Sequence, residues 1–124
     1  MTKRKRPGMS PAETEIFRII AELGQATIQQ IHEALRPDRG VVYKTVLTLV
    51  RRLEKKGYVR HKARGKAHVY VPGVKREDVV RGSVRDFVDR LFGGDPGPLV
   101  QFLAEDGQID AEEFERLRKI IDKS

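Results

Sequence analysis

Residues 43–57, with the sequence YKTVLTLVRRLEKKG, carry the clearest structural pattern in the chain, and the fold prediction starts from them. Their pattern predicts an amphipathic helix from about residue 41 to residue 56, which Gly57 ends. The apolar stripe of this helix is formed by Val46, Leu49, Val50 and Leu53. At about 100° per residue, the opposite face carries Lys44, Thr48, Arg51 and Lys55, with Arg52 at its flank. One face therefore suits a core, whereas the other presents cations around a hydroxyl group.

Two shorter helices are predicted before this stretch. Ser10, Pro11 and Glu13 form a capping-box start for the first helix, which Gly24 ends. A second capping box, Thr27 with Gln30, starts the next helix. Apolar residues follow at helical spacing: Ile16, Ile19, Ile20 and Leu23 in the first helix, and Ile28, Ile31 and Leu35 in the second. Residues 37–40, Pro-Asp-Arg-Gly, are predicted to form the turn before the third helix.

The hydrophobic period changes from helix to strand after Gly57. Residues 58–63 and 67–71 are predicted strands, and Arg64-Gly65-Lys66 is the predicted hairpin turn between them. Three helices followed by a hairpin are the order of elements in a winged helix-turn-helix domain. The predicted fold class is therefore mainly α with a small β-hairpin.

The last third of the chain returns to helical patterning. One helix has an apolar stripe from Val80 to Leu91 and ends at Gly93-Gly94, and two more are predicted over 99–104 and 111–121. These helices present more apolar surface than they can bury among themselves, so we expect a second copy to cover it. The candidate dimerisation residues are Phe87, Leu91, Phe92, Leu99, Phe102, Leu103, Phe114, Leu117 and Ile121. The alternative is a monomer in which these helices pack onto the chain's own winged domain.

Charge is divided unevenly along the 124 residues, whose net charge is +7. Residues 1–66 hold 16 Lys and Arg against 6 Asp and Glu, whereas residues 67–124 hold 9 against 12. The first half therefore suits a polyanion such as DNA, RNA or an anionic membrane surface. The predicted organisation is a basic flexible arm over 1–9, a winged helix-turn-helix DNA-binding domain over 10–73 and a helical dimerisation region over 74–124.

The cationic face of the third helix fits the major groove of DNA, where early side chains meet base edges and later cations meet phosphates. The predicted hairpin adds a second contact, because alternate strand residues point to one side. The candidate DNA-binding residues are Tyr43, Lys44, Thr45, Thr48, Arg51, Arg52 and Lys55 in the helix, and Arg60, Lys62, Arg64 and Lys66 in the hairpin. The alternatives are a solvated basic helix face and cations that protect an edge strand from aggregation.

The first residues of the chain form a separate basic run, Lys3-Arg4-Lys5-Arg6, before Pro7-Gly8. This run has no apolar periodicity, which predicts a flexible arm. It either follows the minor groove, as basic arms often do, or remains an unbound solvated tail.

Composition excludes several classes of function. The chain has no cysteine, so it has neither disulfides nor thiolate metal sites. His32, His61 and His68 lack metal-ligand spacing and are interpreted as structural or surface residues. No Ser–His–acid set and no phosphate-binding glycine loop is present, which predicts a protein without cofactor or metal that is not an enzyme. No apolar run approaches the roughly 18 residues of a membrane span, so we expect a cytoplasmic protein.

Residues 106–114 resemble the later part of an EF-hand calcium loop. If Gly107 is loop position six, the first and third positions are Phe102 and Ala104, which offer no side-chain oxygen. The better interpretation is a helix start, with Asp110 as N-cap and Glu113 as its reciprocal capping-box partner.

The third helix resembles the TV-x-T-x-x-x-R-L-x-x-K-G signature of the penicillinase-repressor (BlaI/MecI) family of transcriptional regulators. The resemblance extends to Ser10, Glu13 and Glu15, to residues 87–94 and to residues 110–121. It implies a homodimer that binds a palindromic operator and blocks transcription. It also implies a membrane metalloprotease that senses β-lactams and whose activation leads to cleavage in the C-terminal arm and release from DNA.

Two features depart from the family pattern. The best-known members are cut between an Asn and a Phe, whereas this chain reads Leu99-Val100-Gln101-Phe102-Leu103 without an Asn. The matching bond is Gln101–Phe102 or Phe102–Leu103. The copper-responsive branch uses C-terminal cysteines, which this chain lacks. The leading hypothesis is thus a dimeric repressor, and the alternative is a winged-helix protein–protein interaction module without sequence-specific DNA binding.

Overall fold

The computed structural model describes residues 6–35 and 40–123. Its elements are, in chain order, α1 (Pro11–Leu23), α2 (Ile28–Ala34), α3 (Tyr43–Lys56), β1 (Val59–Arg64), β2 (Ala67–Pro72), α4 (Arg76–Phe92), α5 (Gly97–Glu105) and α6 (Ala111–Asp122). They form two compact units, Met1–Val79 and Val80–Ser124. Lys3, Arg4 and Lys5 of the predicted arm, and most of the predicted turn at 37–40, lie outside the described residues. Within the described part of the chain, no helix is both long and apolar enough to cross a bilayer.

Two of the three predicted capping boxes are confirmed, those that begin at Ser10 and Thr27. Glu13 N donates to Ser10 Oγ and Ser10 N donates to Glu13 Oε1, at 3.2 and 2.8 Å. The Thr27 and Gln30 pair forms the same two bonds at the start of α2. Each box satisfies two backbone N–H groups that have no partner within the helix, so the start of each helix is determined locally.

Helix α3 begins two residues later than predicted. Val42 is extended, with φ −84° and ψ 153°, and acts as its N-cap residue. The carbonyl of Val41 is held outside the helix because it accepts a 2.7 Å hydrogen bond from His32 Nε2. At the other end, Gly57 adopts φ 90°, a left-handed conformation that favours glycine, and ends the helix as predicted.

The core of the first unit is built from the apolar stripes of the three helices. Its largest fully buried side chains are Ile16, Ile20, Ile31, Val46, Val50 and Leu53. Tyr58, Val59 and Tyr70 extend this cluster to the base of the hairpin. Because the stripe of α3 is fixed in this core, its opposite face must point outward.

The hairpin is antiparallel, and its register runs from Val59 opposite Pro72 to Arg64 opposite Ala67. Strand β1 starts at Val59 rather than at residue 58, because Tyr58 N still donates to Leu53 O at the end of α3. The pairing of Arg64 shortens the predicted three-residue turn to Gly65-Lys66. Ala26 pairs with Tyr70 on the outer side of β2, so β1 is an edge strand among the described residues.

Among the described residues of the first unit, the carboxylate of Glu13 is buried. Glu13 Oε1 accepts a 2.8 Å bond from Lys56 Nζ, whereas Glu13 Oε2 is buried without a hydrogen-bond partner in the described structure. Burial alone would raise the pKa of Glu13, but the hydrogen bonds from Lys56 and from Ser10 N outweigh it and bring the pKa below its ordinary value of 4.5. The folded state therefore favours the ionised form of Glu13.

The second unit leaves most of its apolar side chains uncovered. Among residues 80–123, Val88 alone is buried. Phe92 contacts the rings of Phe87 and Phe102, with centroid distances of 5.9 and 6.4 Å. Asp110 caps α6 by accepting from Glu113 N at 2.7 Å, but in the described residues the predicted reciprocal bond from Glu113 is not formed.

Candidate nucleic-acid interface

The cationic face of α3 is exposed along the helix. Its predicted members, Lys44, Thr48, Arg51, Arg52 and Lys55, are all exposed, and so are Tyr43 and Thr45 near the start of the helix. The inward residues Val46, Val50 and Leu53 have no accessible surface, while Leu49 is half-buried. The structure therefore brings all seven predicted helix residues onto the outward sides of one rigid element.

Two side chains near the start of this face have defined local partners. Thr48 Oγ1 donates to Lys44 O at 3.0 Å. The hydroxyl hydrogen is thus engaged, and Thr48 presents oxygen lone pairs and a methyl group outward. The Tyr43 ring packs edge-on against His32, with centroids 6.2 Å apart, so α2 helps to orient it.

The hairpin places its cations on one face. Arg60, Lys62 and Arg64 alternate along β1, and all three are exposed, as is Lys66 in the turn. The opposite face of the strand carries Val59, which is buried in the core, and His61, which is exposed and lies opposite Tyr70. As predicted from strand periodicity, His61 and the three cations point in opposite directions.

A carboxylate that sequence reasoning missed joins the hairpin to α3. Glu54 Oε2 accepts from the backbone N of His61 at 3.1 Å and also binds His61 Nδ1. The His61 ring stacks on His68, with centroids 4.5 Å apart. The backbone N–H and carbonyl of Tyr70 both form hydrogen bonds with Ala26. His61 lies opposite Tyr70 in the hairpin, so its N–H points away from β2 and toward Glu54. The signal in the sequence was Glu54 itself, an acidic residue among the Lys and Arg residues of 51–56 at the end of α3.

Removing this carboxylate should loosen the hairpin. In Glu54→Ala, the amide of His61 loses its acceptor, and its hydrogen exchange is expected to accelerate about 5- to 10-fold, as loss of about 1 kcal/mol implies. Amide exchange measured by NMR tests this. Glu22→Ala removes an exposed carboxylate of α1 that pairs with Arg18 and is the matched control. Unchanged protection of His61 in Glu54→Ala would show that Glu54 does not hold the strand.

The predicted dimerisation residues all lie in the second unit. Six of them are exposed and three are half-buried: Phe87, Leu91, Phe102, Phe114, Leu117 and Ile121 are exposed, and Phe92, Leu99 and Leu103 are half-buried. Val80, Val84 and Ile120 are further exposed apolar residues in this unit. Within residues 6–35 and 40–123, no three His, Asp or Glu side chains gather as metal ligands.

Comparisons with known proteins agree with this geometry. The protein-family model described as penicillinase repressor matches residues 9–123 of the chain. The chain is 27% identical over 120 residues to the penicillinase repressor of Bacillus licheniformis, covering 97% of this chain and 94% of that protein. It is 30% identical over 115 residues to the methicillin resistance regulatory protein MecI of Mammaliicoccus sciuri, covering 93% and 94% respectively.

A solved structure extends the comparison to the fold. The B. licheniformis BlaI monomeric form, determined in solution in complex with the blaP half-operator, is similar with a TM-score of 0.51 and 30% identity. The similarity covers 60% of this chain and 90% of that one. The predicted winged helix-turn-helix fold is thereby confirmed.

Proposed function

The chain belongs to the penicillinase repressor family and is a DNA-binding transcriptional repressor rather than an enzyme; from this premise we propose that it acts as a homodimer on a palindromic operator. The observation that carries the proposal is the outward cationic face of α3, fixed by the burial of the opposite side of the same helix. A helix of this kind enters the major groove without any rearrangement of the core.

The proposed contacts divide along the helix. Tyr43, Lys44 and Thr48 face base edges, because the N-terminal turns of a recognition helix lie deepest in the groove. Thr45 lies at the flank of the same turns. Arg51, Arg52 and Lys55 follow toward the end of α3 and bind the phosphate backbone, as do the hairpin cations Arg60, Lys62, Arg64 and Lys66.

The proposed dimer uses the second unit. Phe87, Leu91, Phe102, Phe114, Leu117 and Ile121 are exposed there, and a two-fold axis brings the same surface of a second copy against them. Half-buried Phe92, Leu99 and Leu103 adjoin this surface. The same axis would place two recognition helices about 34 Å apart, one turn of DNA, and such a pair would bind a palindromic operator. Because its target is DNA, we place the repressor in the cytoplasm.

Selection from a random duplex library with the full chain tests this function. We expect a palindrome with half-sites about one helical turn apart. Binding of the selected duplex should weaken on the order of 10³–10⁵-fold between 50 and 200 mM salt if roughly 6–10 phosphates are contacted. Failure to enrich any sequence over random duplex would favour a protein–protein interaction module instead.

Thr48 is proposed to contribute to sequence discrimination. Replacing it by Ala removes the oxygen lone pairs and the methyl group that face outward, so discrimination at one operator position should fall by about 1–3 kcal/mol. Thr48→Ser keeps the hydroxyl and removes only the methyl group, so it distinguishes the contribution of the oxygen from that of the methyl group. A preference matrix that is the same in all three proteins would remove Thr48 from the set of base-reading residues.

Release from DNA is proposed to follow the family circuit, in which a membrane metalloprotease sensor is the partner. Both candidate bonds, Gln101–Phe102 and Phe102–Leu103, lie inside α5. Proteases bind extended substrates, so cleavage there requires α5 to unfold locally. This helix has only nine residues and no side-chain N-cap bond, which lowers the free energy that such opening requires. A metalloprotease gene beside the repressor gene would support the circuit, and its absence would reject the circuit while leaving repression intact.

A further inference from the structure

Helix α3 begins at a residue type that is unfavourable there. Three other helices begin at a side chain whose oxygen accepts a bond from the first turn, namely Ser10 in α1, Thr27 in α2 and Asp110 in α6. Val42, the N-cap residue of α3, has no side-chain oxygen, and in the described structure no side chain caps this helix. Valine is far less favourable at an N-cap than Ser, Thr or Asp. A position that breaks a local folding rule is one where a functional role is expected.

The side chain of Val42 points away from the core. Val41 packs against the core of the first unit, and Val42 has an extended backbone with φ −84° and ψ 153°. Successive side chains of an extended segment point to opposite sides. Val42 is accordingly 59% exposed, at the very start of α3. An apolar side chain therefore stands in front of the cationic face of this helix.

The neighbours of Val42 on both sides are held by α2. His32 Nε2 donates its 2.7 Å bond to the carbonyl of Val41, and the His32 ring packs edge-on against Tyr43. Val42 lies between these two contacts. Its side chain is also branched at Cβ, which restricts its rotamers. The methyl groups of Val42 thus have a defined position before a partner binds, which lowers the ordering cost of a contact.

The proposed binding mode determines what Val42 meets. The N-terminal turns of a recognition helix lie deepest in the major groove, so the residue just before them faces base edges. The Val42 side chain offers two methyl groups and no polar atom. The apolar group that base pairs display in the major groove is the 5-methyl group of thymine. We propose that Val42 is a further specificity-determining residue, which contacts the 5-methyl group of one thymine in each half-site. This proposal rests on the proposed DNA-binding function and deepens it by naming the feature of the base that is recognised.

Replacement of thymidine by deoxyuridine tests this contact, because uracil differs from thymine only by lacking the 5-methyl group. The probe is the labelled duplex selected by the full chain, with one thymine of each half-site replaced at a time. At one position, binding of the unmodified protein should weaken about 4-fold per half-site, as exposure of one methyl group implies. In Val42→Ser the same replacement should have no effect, because the apolar partner is missing.

The Val42→Ser variant also separates recognition from folding. Serine is a preferred N-cap residue, so chemical denaturation should show a protein at least as stable as the unmodified one. Its affinity for the selected duplex should nevertheless fall by about the same factor as the loss of the thymine methyl group causes. Leu23→Ser is the matched control, since Leu23 is an exposed apolar residue at the end of α1. This control should retain the full effect of deoxyuridine.

The outcomes separate this proposal from the function on which it rests. A half-site in which no thymine is sensitive to loss of its methyl group would overturn the contact and leave repression intact. So would a thymine that remains equally sensitive in Val42→Ser. A Val42→Ser protein that loses stability together with affinity would assign Val42 to the fold and overturn the proposal. If the selection enriches no sequence, the proposed function fails first, and this inference fails with it.

Discussion

Leu91→Asp is expected to convert the proposed dimer into monomers and to weaken binding to a two-half-site operator on the order of 10²–10⁴-fold, because linked half-sites contribute that much through effective concentration. Leu91 is 66% exposed in the single chain. Its replacement therefore removes little packing within the protomer, but it places a charge in the proposed interface. Sedimentation velocity and binding to full and half operators measure the two effects.

Leu23→Asp is the matched control for this prediction. Leu23 is an apolar residue of similar exposure, 54%, at the end of α1 in the first unit. It should leave both the sedimentation coefficient and operator affinity unchanged. Affinity for a single half-site should also be unchanged in Leu91→Asp, because α3 and the hairpin are untouched. A Leu91→Asp protein that still sediments as a dimer would place the interface elsewhere.

Glu13→Ala is expected to cost about 3 kcal/mol of the free energy of unfolding, at the low end for removal of one partner from a buried ion pair. Only 3% of the Glu13 side chain is accessible. Its removal takes away the carboxylate acceptor of Lys56 Nζ and leaves the hydrogen bond from Lys56 Nζ to Gly8 O. Chemical denaturation at neutral pH measures this cost. Glu22→Ala breaks an ion pair whose two side chains are about half exposed, and it should cost at most about 1 kcal/mol.

The contribution of Glu13 should also depend on pH. Its folded-state pKa is lowered from the ordinary value of 4.5, so the stabilisation is fully present above pH 4.5 and is lost as the pH falls through the folded-state pKa. The difference in unfolding free energy between the unmodified protein and Glu13→Gln should therefore shrink below pH 4.5. A difference that stays constant down to the acid transition would show that the charge of Glu13 does not stabilise the fold.

Local patterns predicted most of the fold, and the reason is visible in particular residues. The capping boxes at Ser10 and Thr27 act between residues three apart, so the sequence alone indicates them. The stripe from Val46 to Leu53 and the alternation from Arg60 to Arg64 follow from the periods of helix and strand. The start of α3 was misplaced because His32 holds Val41 outside the helix, a contact across nine residues.

By itself, the sequence determined the element types, the capped helix starts and which side of α3 would face outward, because each depends on neighbours within one or two turns. How these parts are joined depends instead on contacts between residues that are far apart in the sequence. Lys56 meets Glu13 across 43 residues and Tyr58 meets Pro7 across 51. No periodicity encodes such pairs, since they form only after the core has brought α1, α3 and the hairpin together.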